Sequence, residues 1–338
     1  MHSVLSWLRR GLAGVVVAIA LFAMGCTNAF LPTFDQNPWK VIEIPSETNF
    51  SDIAFTKDPN HGWLVGNRNG LLETRDGGDT WEERKLELGN QTYTFTSIDF
   101  SGDEGWITGE PALLLHTTDG GKSWENVSLS PQLPGTPFLI TALGPKSAEM
   151  ATNIGAIYVT KDGGRNWKGL VEGAVGVVRN MTRSEDGRYV AVSSRGNFYS
   201  TWAPGQGTWI PHNRQNSRRL QNMGFDQEGK LWLLARGGQL RLSASRGSDD
   251  FQEAINPEFS TSWGLLDIGY RTPEEMWVAG GGGTLLVSPD GGQSWYKDEA
   301  VGNVPSNFNR IVFNGPNRGF VLGQRGVLLK YEGSVKAA

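Results

Sequence analysis

The sequence predicts an all-β protein, a seven-bladed β-propeller whose blades are four-stranded sheets. Three observations support this fold class. A turn motif of the form Ser/Thr-x-Asp-Gly-Gly-x-Ser/Thr/Asn-Trp recurs, the aromatic residue that closes it returns about every 43 residues, and 45 glycines accompany 13 tryptophans. A period of this length is typical of one propeller blade, and glycine-rich turns suit many short strands.

The Asp-Gly-Gly motif has the chemistry of a tight hairpin. Two consecutive glycines allow positive φ angles, and the Asp accepts hydrogen bonds from amides of the same turn. We therefore interpret these carboxylates as architectural. Complete copies occupy Thr74–Trp81, Thr117–Trp124, Thr160–Trp167 and Ser288–Trp295, and altered copies occupy Ser200–Trp209 and Ser243–Phe251. The closing aromatic residues are 43, 43, 42, 42 and 44 residues apart.

The two ends of the repeat predict how the ring closes. The isolated strand Trp39–Ile44 begins 42 residues before Trp81. At the other end, Phe308–Phe313, Gly319–Gly323 and Gly326–Tyr331 supply three strands. We expect the N-terminal strand to join these three as the seventh blade, because closure removes the exposed edges of an open sheet. The result is one domain, expected to be a monomeric propeller.

The order of strands within a repeat predicts which loops share a face. In the second repeat the strands are Thr94–Phe100, Gly105–Gly109, Ala112–Thr117 and Ser123–Val127. Antiparallel neighbours alternate in direction, so successive connections fall on alternate faces of the ring. The Asp-Gly-Gly hairpins share one face with the first-to-second strand loops. The second-to-third strand loops share the other face with the crossovers between blades.

The charge distribution is uneven along the chain. From Cys26 onward there are 29 basic residues, the total of 31 less Arg9 and Arg10, against 35 acidic ones, a formal charge of −6. Residues 175–250 contain ten Arg and one Lys against six acidic residues, so this segment carries +5 and the remainder −11. A basic sector is therefore predicted within an acidic ring.

Six arginines of this sector are expected to converge on the crossover face as a partner-binding patch. Arginine rather than lysine favours planar, bidentate recognition of carboxylates or stacking on aromatic rings. The alternative is a solvated surface with scattered ion pairs. Arg183 and Arg188 flank a first-to-second strand loop and are expected on the opposite face. The predicted patch consists of Arg179, Arg195, Arg214, Arg218, Arg219 and Arg236.

The N-terminus has the order of a secretory signal peptide over residues 1–25. Arg9 and Arg10 precede an apolar run from Gly11 to Met24, too short to span a bilayer comfortably. Cys26, the only cysteine, follows in a stretch that looks like a bacterial lipoprotein processing site, although Ala23 replaces the usual Leu. We expect lipid attachment at Cys26, with an ordinary cleaved signal as the alternative. A tether over residues 26–38 would then lead to the propeller at residues 39–338.

Longer stretches of the basic sector are more specific than the turn motif. The blocks Asp186–Trp202, Trp209–Arg214 and Ser217–Gly224 closely resemble the photosystem II stability/assembly factor family of cyanobacteria and chloroplasts, and the resemblance extends over nearly the whole chain. It implies a non-enzymatic, lipid-anchored propeller on the lumenal side of the thylakoid membrane, or on the periplasmic side. It also implies binding to the newly made precursor of the D1 reaction-centre subunit and a role in early photosystem II reaction-centre assembly.

The resemblance also implies a contact surface. An arginine patch is the suspected partner surface in that family, and it maps onto five of the six arginines predicted above. Arg236 is added from loop geometry alone. The matching positions are Arg179, Arg195, Arg214, Arg218 and Arg219.

Two other classes of function remain open at this point. A sialidase-like glycoside hydrolase shares Asp-containing propeller turns, but it needs an Arg-Ile-Pro start where this chain has Glu43-Ile44-Pro45, and a Tyr/Glu pair that no spacing indicates. A general exported propeller scaffold for envelope protein assembly would share the anchor without the family-specific blocks.

Metal, cofactor and nucleic-acid functions are not predicted. His2, His61, His116 and His212 have no ligand spacing, and His212 is interpreted as a loop hydrogen-bonding residue. The run Gly280–Gly283 lies in a predicted second-to-third strand loop, so we interpret it as a tight turn rather than a phosphate-binding loop. The acidic balance and the export signal disfavour nucleic-acid binding.

Overall fold

The computed structural model describes residues 31–34, 37–214, 217–257 and 264–333. These residues form seven antiparallel sheets arranged in a ring, which confirms the predicted all-β propeller. The only helical element within these ranges is a 3-10 turn at Gly281–Gly283. In the same ranges no helix is long and apolar enough to cross a membrane.

The ring is built from 27 short strands. In chain order they are β1 (Trp39–Ile42), β2 (Phe50–Phe55), β3 (Gly62–Gly66), β4 (Leu71–Thr74), β5 (Glu82–Glu83), β6 (Thr94–Ser101), β7 (Glu104–Glu110), β8 (Leu113–Thr117), β9 (Glu125–Asn126), β10 (Pro137–Gly144), β11 (Ser147–Thr152), β12 (Ile157–Thr160), β13 (Lys168–Gly169), β14 (Val178–Arg183), β15 (Tyr189–Ser193), β16 (Phe198–Trp202), β17 (Ile210–Asn213), β18 (Leu220–Phe225), β19 (Leu231–Ala235), β20 (Gln239–Leu242), β21 (Leu265–Tyr270), β22 (Met276–Gly280), β23 (Leu285–Ser288), β24 (Tyr296–Lys297), β25 (Phe308–Phe313), β26 (Gly319–Gly323) and β27 (Leu328–Tyr331).

The seventh blade closes the ring as predicted. Its strand order is β1-β27-β26-β25, with Trp39 opposite Tyr331 and Ile42 opposite Leu328. Trp39 is buried, and its ring packs edge-on against Tyr331 and against Trp277 of the sixth blade, each at a centroid distance of 5.3 Å. The N-terminal strand therefore contributes core packing as well as backbone pairing.

The fifth blade departs from the four-stranded prediction. It contains β18, β19 and β20, and its outer position is held only by isolated bridges of Ser243 with Phe251 and of Leu240 with Ile255. Between Ser243 and Phe251 the chain lacks an Asp-Gly-Gly triplet. The triplet is also absent between Ser200 and Trp209, yet the fourth blade forms its outer strand β17, so the altered motif alone does not account for the difference.

Burial changes in a regular way from the channel outwards. Second strands such as β3, β15 and β22 are buried at every position, because each of their faces packs against a neighbouring blade. Outermost strands such as β5 and β9 are two residues long, charged or polar, and exposed. Short polar outer strands protect the rim from edge-to-edge pairing.

The Asp-Gly-Gly hairpins are held by the hydrogen bonds that their sequence predicts. In the second blade, Asp119 accepts bonds from the Ser123 amide (3.0 Å), the Ser123 hydroxyl (2.7 Å) and the Thr117 hydroxyl (2.8 Å). Burial acts to raise the pKa of Asp119, but these bonds outweigh it and lower the pKa to about 2. The carboxylate is therefore ionised and architectural.

The same hairpin also joins neighbouring blades. Gly121 has a φ of +88°, and a Cβ there would lie 2.5 Å from the Trp63 ring of the first blade. The Trp63 indole donates a hydrogen bond of 3.0 Å to the Gly120 carbonyl. Glycine is required at this position both for its backbone angle and for this close approach.

Asp119→Ala should lower the free energy of unfolding by roughly 1–2 kcal/mol at neutral pH, because the turn amides lose their acceptor. The folded-state pKa lies below the ordinary value of 3.8, so the ionised carboxylate stabilises the fold above that pH. The difference from the unmodified chain should shrink as the pH falls from about 4 towards 2. Chemical unfolding across this pH range measures it. The exposed Lys122→Ala in the same turn is the control, and equal effects of the two changes would contradict the assignment.

Candidate functional site

The six predicted arginines lie at strand ends that share one face of the propeller. Arg179 is the second residue of β14, Arg195 lies in the β15–β16 turn, and Arg236 lies in the β19–β20 turn. The others lie in the crossover from β17 to β18. We call this set the arginine face, and it consists of Arg179, Arg195, Arg214, Arg218, Arg219 and Arg236.

Arg179 is positioned by a β-bulge between Val178 and Asn180, where the pairing of β14 with β15 shifts register. Its Nη1 donates hydrogen bonds to the Leu220 carbonyl (3.2 Å) and to Oε1 of Gln221 (3.0 Å) in the next blade. Bulges redirect side chains and occur often beside functional sites. The bulge and these two acceptors hold the guanidinium across the boundary between the fourth and fifth blades.

The structure places the charges of three of these arginines within electrostatic reach of one another. Burial lowers the pKa of Arg179, and the positive charges of Arg236 and Arg219 lower it further. Arg219 and Arg236 are exposed, and the Arg236 amide donates a hydrogen bond of 2.9 Å to the Arg219 carbonyl. A cluster of like charges that lowers the pKa of its own member is prepared to accept an anion.

Two further arginines are tied to the same boundary through backbone contacts. Nη1 of Arg218 donates to the carbonyls of Arg236 (3.3 Å) and Gly237 (3.2 Å). The turn that carries Arg195 accepts the Leu220 amide at the Gly196 carbonyl (2.9 Å). Both arginines are exposed to solvent.

Arg214 lies farther out than the other five. It follows the outermost strand β17, is partly buried, and lines a small cavity with Tyr199, Leu220 and Phe251 between the fourth and fifth blades. Like Arg179, it is less exposed than the other four arginines of the face.

The opposite face shows how arginines behave when they are structural. Arg183 pairs with Glu149 (2.7 Å), and Arg188 and Arg246 both pair with Asp186 (2.9 and 2.6 Å). These first-to-second strand positions confirm the predicted separation of Arg183 and Arg188 from the patch. Their positive charges are compensated by carboxylates within the fold.

Five members of the arginine face have no such compensation. In the described part of the chain, no carboxylate lies within ion-pair distance of these five residues. Arginines without an internal carboxylate can be compensated by a bound one, and the guanidinium geometry suits a bidentate contact. The five are Arg179, Arg195, Arg214, Arg219 and Arg236.

Sequence reasoning missed two features of this face. Gln221, which orients Arg179, lies 42 residues after it, one repeat period, so the period could have identified it as the equivalent residue of the next blade. Val177 is 59% exposed, and its carbonyl accepts the Ser194 amide (2.9 Å) beside Arg195. An apolar side chain therefore adjoins the charged cluster.

The structure also reveals a Tyr/Glu pair that no spacing indicated. The Tyr189 hydroxyl donates to Oε1 of Glu149 (2.8 Å), the same oxygen that Arg183 contacts. Tyr189 is 1% exposed, and burial followed by the negative charge of Glu149 raises its pKa well above the ordinary value. A buried, protonated phenol that joins two blades cannot serve as a glycosidase nucleophile.

His212 is a hydrogen-bonding residue as predicted, but it lies in strand β17 rather than in a loop. Nδ1 is 2.9 Å from Oδ2 of Asp249, Nε2 is 2.8 Å from the Thr201 hydroxyl, and the ring stacks on Tyr199. These contacts join the fourth blade to the outer segment of the fifth. Among the residues that the structure describes, no group of three His, Cys, Asp or Glu residues could hold a metal ion.

The predicted anchor lies outside the described residues, because Cys26 precedes residue 31. Part of the predicted tether is described, and it packs against the propeller. Thr33 bridges to Lys297, the Phe34 amide donates to the Lys297 carbonyl (2.9 Å), and the Phe34 ring packs edge-on against Trp277 (5.7 Å). The contact between Phe34 and Trp277 explains why residues 31–34 lie along the sixth blade.

Comparison with known proteins gives one family over nearly the whole chain. Residues 31–332 match the family model described as "Photosynthesis system II assembly factor YCF48". The photosystem II assembly lipoprotein Ycf48 of a Picosynechococcus species is 56% identical and covers 98% of this chain and 97% of its own length. The protein of that name from Trichormus variabilis is 58% identical over 94% of this chain and 93% of its own length.

Solved structures agree with this result. One described as "YCF48 bound to D1 peptide" is 54% identical, has a TM-score of 0.87, and covers 89% of this chain and 99% of its own. A virginiamycin B lyase from Staphylococcus aureus is 14% identical with a TM-score of 0.68, and covers 86% of this chain and 98% of its own. The latter likeness concerns the fold alone.

Arg236→Gln should stabilise the fold slightly, because it removes a charge that repels Arg179. The expected gain is roughly 0.2–0.5 kcal/mol at low ionic strength, and salt should reduce it since the groups are near the surface. Thermal unfolding at low and high salt measures it. Arg165→Gln, an exposed arginine on the opposite face, should show no such gain, and a destabilised Arg236→Gln would contradict the repulsive cluster.

Proposed function

We propose that this chain, which belongs to the Ycf48 family of photosystem II assembly factors, binds the newly made D1 subunit through its arginine face. The observation that carries this proposal is the cluster of Arg179, Arg219 and Arg236 at one blade boundary, without ion pairs to described carboxylates. A homologous structure is described as bound to a D1 peptide, which supports D1 as the partner. The bound form is the precursor present during early reaction-centre assembly.

The chemistry of the face defines what it recognises. Guanidinium groups bind carboxylates through two parallel N–H donors, so a segment of the partner with acidic side chains or a free carboxylate is complementary. The exposed Val177 offers an apolar contact beside Arg195. The ligand is therefore an extended segment that presents both an anionic group and an apolar side chain.

From Cys26 onward, the chain outside residues 175–250 carries a formal charge of −11. This negative charge assists the selectivity of the arginine face. A positive sector in an otherwise negative protein steers an acidic segment to one place and repels it elsewhere. Such steering mainly accelerates association. An assembly factor benefits from it, because the partner must be found soon after it is made.

We further propose that the chain is anchored by a lipid at Cys26 and faces the thylakoid lumen. The relatives are named lipoproteins, and the signal-like residues 1–25 precede a single cysteine. More than one acyl chain on that cysteine would hold the propeller at the membrane, since a single chain binds only weakly. The partner is a membrane protein, so anchoring restricts the search to two dimensions.

No reaction is assigned to this chain. The family and the relatives are named for photosystem II assembly, and the Tyr189–Glu149 pair that a glycosidase would require is buried. Family membership likewise replaces the general envelope scaffold as the explanation of the exported propeller. The proposed function is therefore binding of the newly made D1 subunit and not catalysis.

Charge reversal at three exposed members of the arginine face should strongly reduce D1 capture. The full chain with a C-terminal affinity tag is expressed in cyanobacterial cells, and D1 and its precursor are quantified after purification from solubilised membranes. The variant carries Arg195→Glu, Arg219→Glu and Arg236→Glu. It should retain about one tenth as much D1 as the unmodified chain, or less, which is the loss expected from removing one or more charge-assisted contacts.

The matched control carries the same change of charge on the opposite face. Lys122→Glu, Lys161→Glu and Arg165→Glu replace three exposed basic residues in the Asp-Gly-Gly hairpins and should leave capture intact. Equal losses in both triple variants would show that net charge rather than this face determines binding. Full capture by the first triple variant would overturn the arginine face while leaving D1 binding itself in place.

D1 binding should weaken with salt. The Debye length falls from ~10 Å at 0.1 M to ~3 Å at 1 M ionic strength, which screens contacts at an exposed face. D1 retention on the tagged chain should therefore decrease steadily over this range. The arginine-face triple variant should show a flatter dependence. A retention that is constant from low to high salt would contradict charge-dependent recognition.

A further inference from the structure

A second basic site lies at the opposite end of the central channel. A solvent-open cavity of about 330 Å³ is lined there by the end of β2 and by the β2–β3 and β25–β26 loops. These loops join first to second strands, so the cavity is on the face that carries the Asp-Gly-Gly hairpins. A volume of this size is sufficient for a small organic ligand.

Arg318 supplies the positive charge of this cavity in a fixed orientation. Its guanidinium carbon lies 4.8 Å from the centroid of the Phe55 ring, and Phe55 stacks in turn on Phe320 at 5.5 Å with 22° between the planes. Stacking of this kind restrains the plane of the guanidinium and leaves its edge available for donation. Within the described residues, its side-chain N–H groups have no hydrogen-bond acceptor.

The other polar groups of the cavity are already engaged or neutral. Lys57 is paired with Asp103 at 2.6 Å. Asp99 accepts hydrogen bonds from the amides of Phe100 and Ala142, both at 2.9 Å, one at each carboxylate oxygen. Arg318 is therefore the lining group with unused donors.

Part of the remaining wall is apolar. Phe55 and Pro59 contribute carbon surface next to Arg318, while Thr56 and the neutral amide of Asn314 add polar surface. One planar donor edge beside an apolar wall matches a planar monoanion with a hydrocarbon body. A phosphate dianion fits poorly, because only one uncompensated cation faces its two negative charges and it has no hydrocarbon body to cover the carbon surface.

We propose that this cavity binds a small aliphatic or aromatic monocarboxylate, with the carboxylate on Arg318 and the hydrocarbon body against Pro59 and the exposed edge of Phe55. This site is separate from the arginine face, because the two lie at opposite ends of the strands. Occupancy of one leaves the other accessible. The chain thus has two anion sites of different chemistry, one for a polypeptide and one for a small molecule.

Calorimetry and ligand-observed NMR on the purified full chain test the site. The probes are phenylacetate, benzoate and 4-methylpentanoate, with neutral phenylacetamide and inorganic phosphate as comparisons. The monocarboxylates should bind, while phenylacetamide and phosphate should bind at least about tenfold more weakly, since each loses the charge-assisted or the apolar part of the contact.

Three variants locate the binding. Arg318→Gln should weaken binding of the monocarboxylates about tenfold or more, and Arg165→Gln on the same face should not change it. Asn314→Asp places a negative charge at an exposed rim position without touching the core, so it should weaken binding even if Arg318→Gln proves unstable. Absence of binding by all three monocarboxylates, equal binding of phosphate, or unchanged binding in both cavity variants would overturn the proposal. D1 capture should be retained by Arg318→Gln, so this result and that for the arginine face are independent.

Discussion

A β-bulge at the start of every inner strand is the constraint on which the ring depends. All seven inner strands shift register against their second strands at the same place. In several blades the residue that follows the bulge reaches the next blade. Asp52 accepts the Ile98 amide (3.1 Å), Asp267 accepts the Ile311 amide (3.0 Å), and Arg310 returns to Asp52 at 3.0 Å, joining the last blade to the first. A regular strand alternates its side chains between the two faces of the sheet. A bulge bends and twists the strand locally, and it therefore directs these side chains towards the neighbouring blade.

These connections bury charge around the channel, and the hydrogen bonds compensate for it. Burial raises the pKa of Asp99 and of Asp267 to about 6, although amides of the next blade and, for Asp267, the charge of Arg310 oppose the shift. A folded-state pKa above the ordinary value of 3.8 means that ionisation of these groups costs stability as the pH rises from about 4 to 6. An apolar residue in place of either carboxylate would leave amides of the next blade without acceptors, which explains why the ring retains Asp99 and Asp267.

The repeat period predicted the features that all blades share, but it could not predict how individual blades differ. It gave the number of blades, the closure by Trp39 and the face of each loop, since all three follow from strand count and alternating direction. The missing outer strand of the fifth blade could not be predicted from its altered motif, because the fourth blade has an altered motif too and still forms β17. The pairing of Phe34 with the sixth blade, of Tyr189 with Glu149, and of Arg318 with Phe55 depends on side chains of unequal blades that meet laterally, and no periodicity encodes such pairs.

The bulge also explains how a repeated backbone carries a local site. The equivalent bulge residues of the seven inner strands are Ser51, Thr96, Phe138, Arg179, Gln221, Leu266 and Asn309. Arg179 is the one charged residue among them, and its neighbour in the ring, Gln221, is the one that orients it. The backbone geometry is the same in every blade, so the side chain alone sets the chemistry of each sector. A propeller can therefore acquire a charged face by substitution at a few repeated positions while the bonds that close the ring stay unchanged.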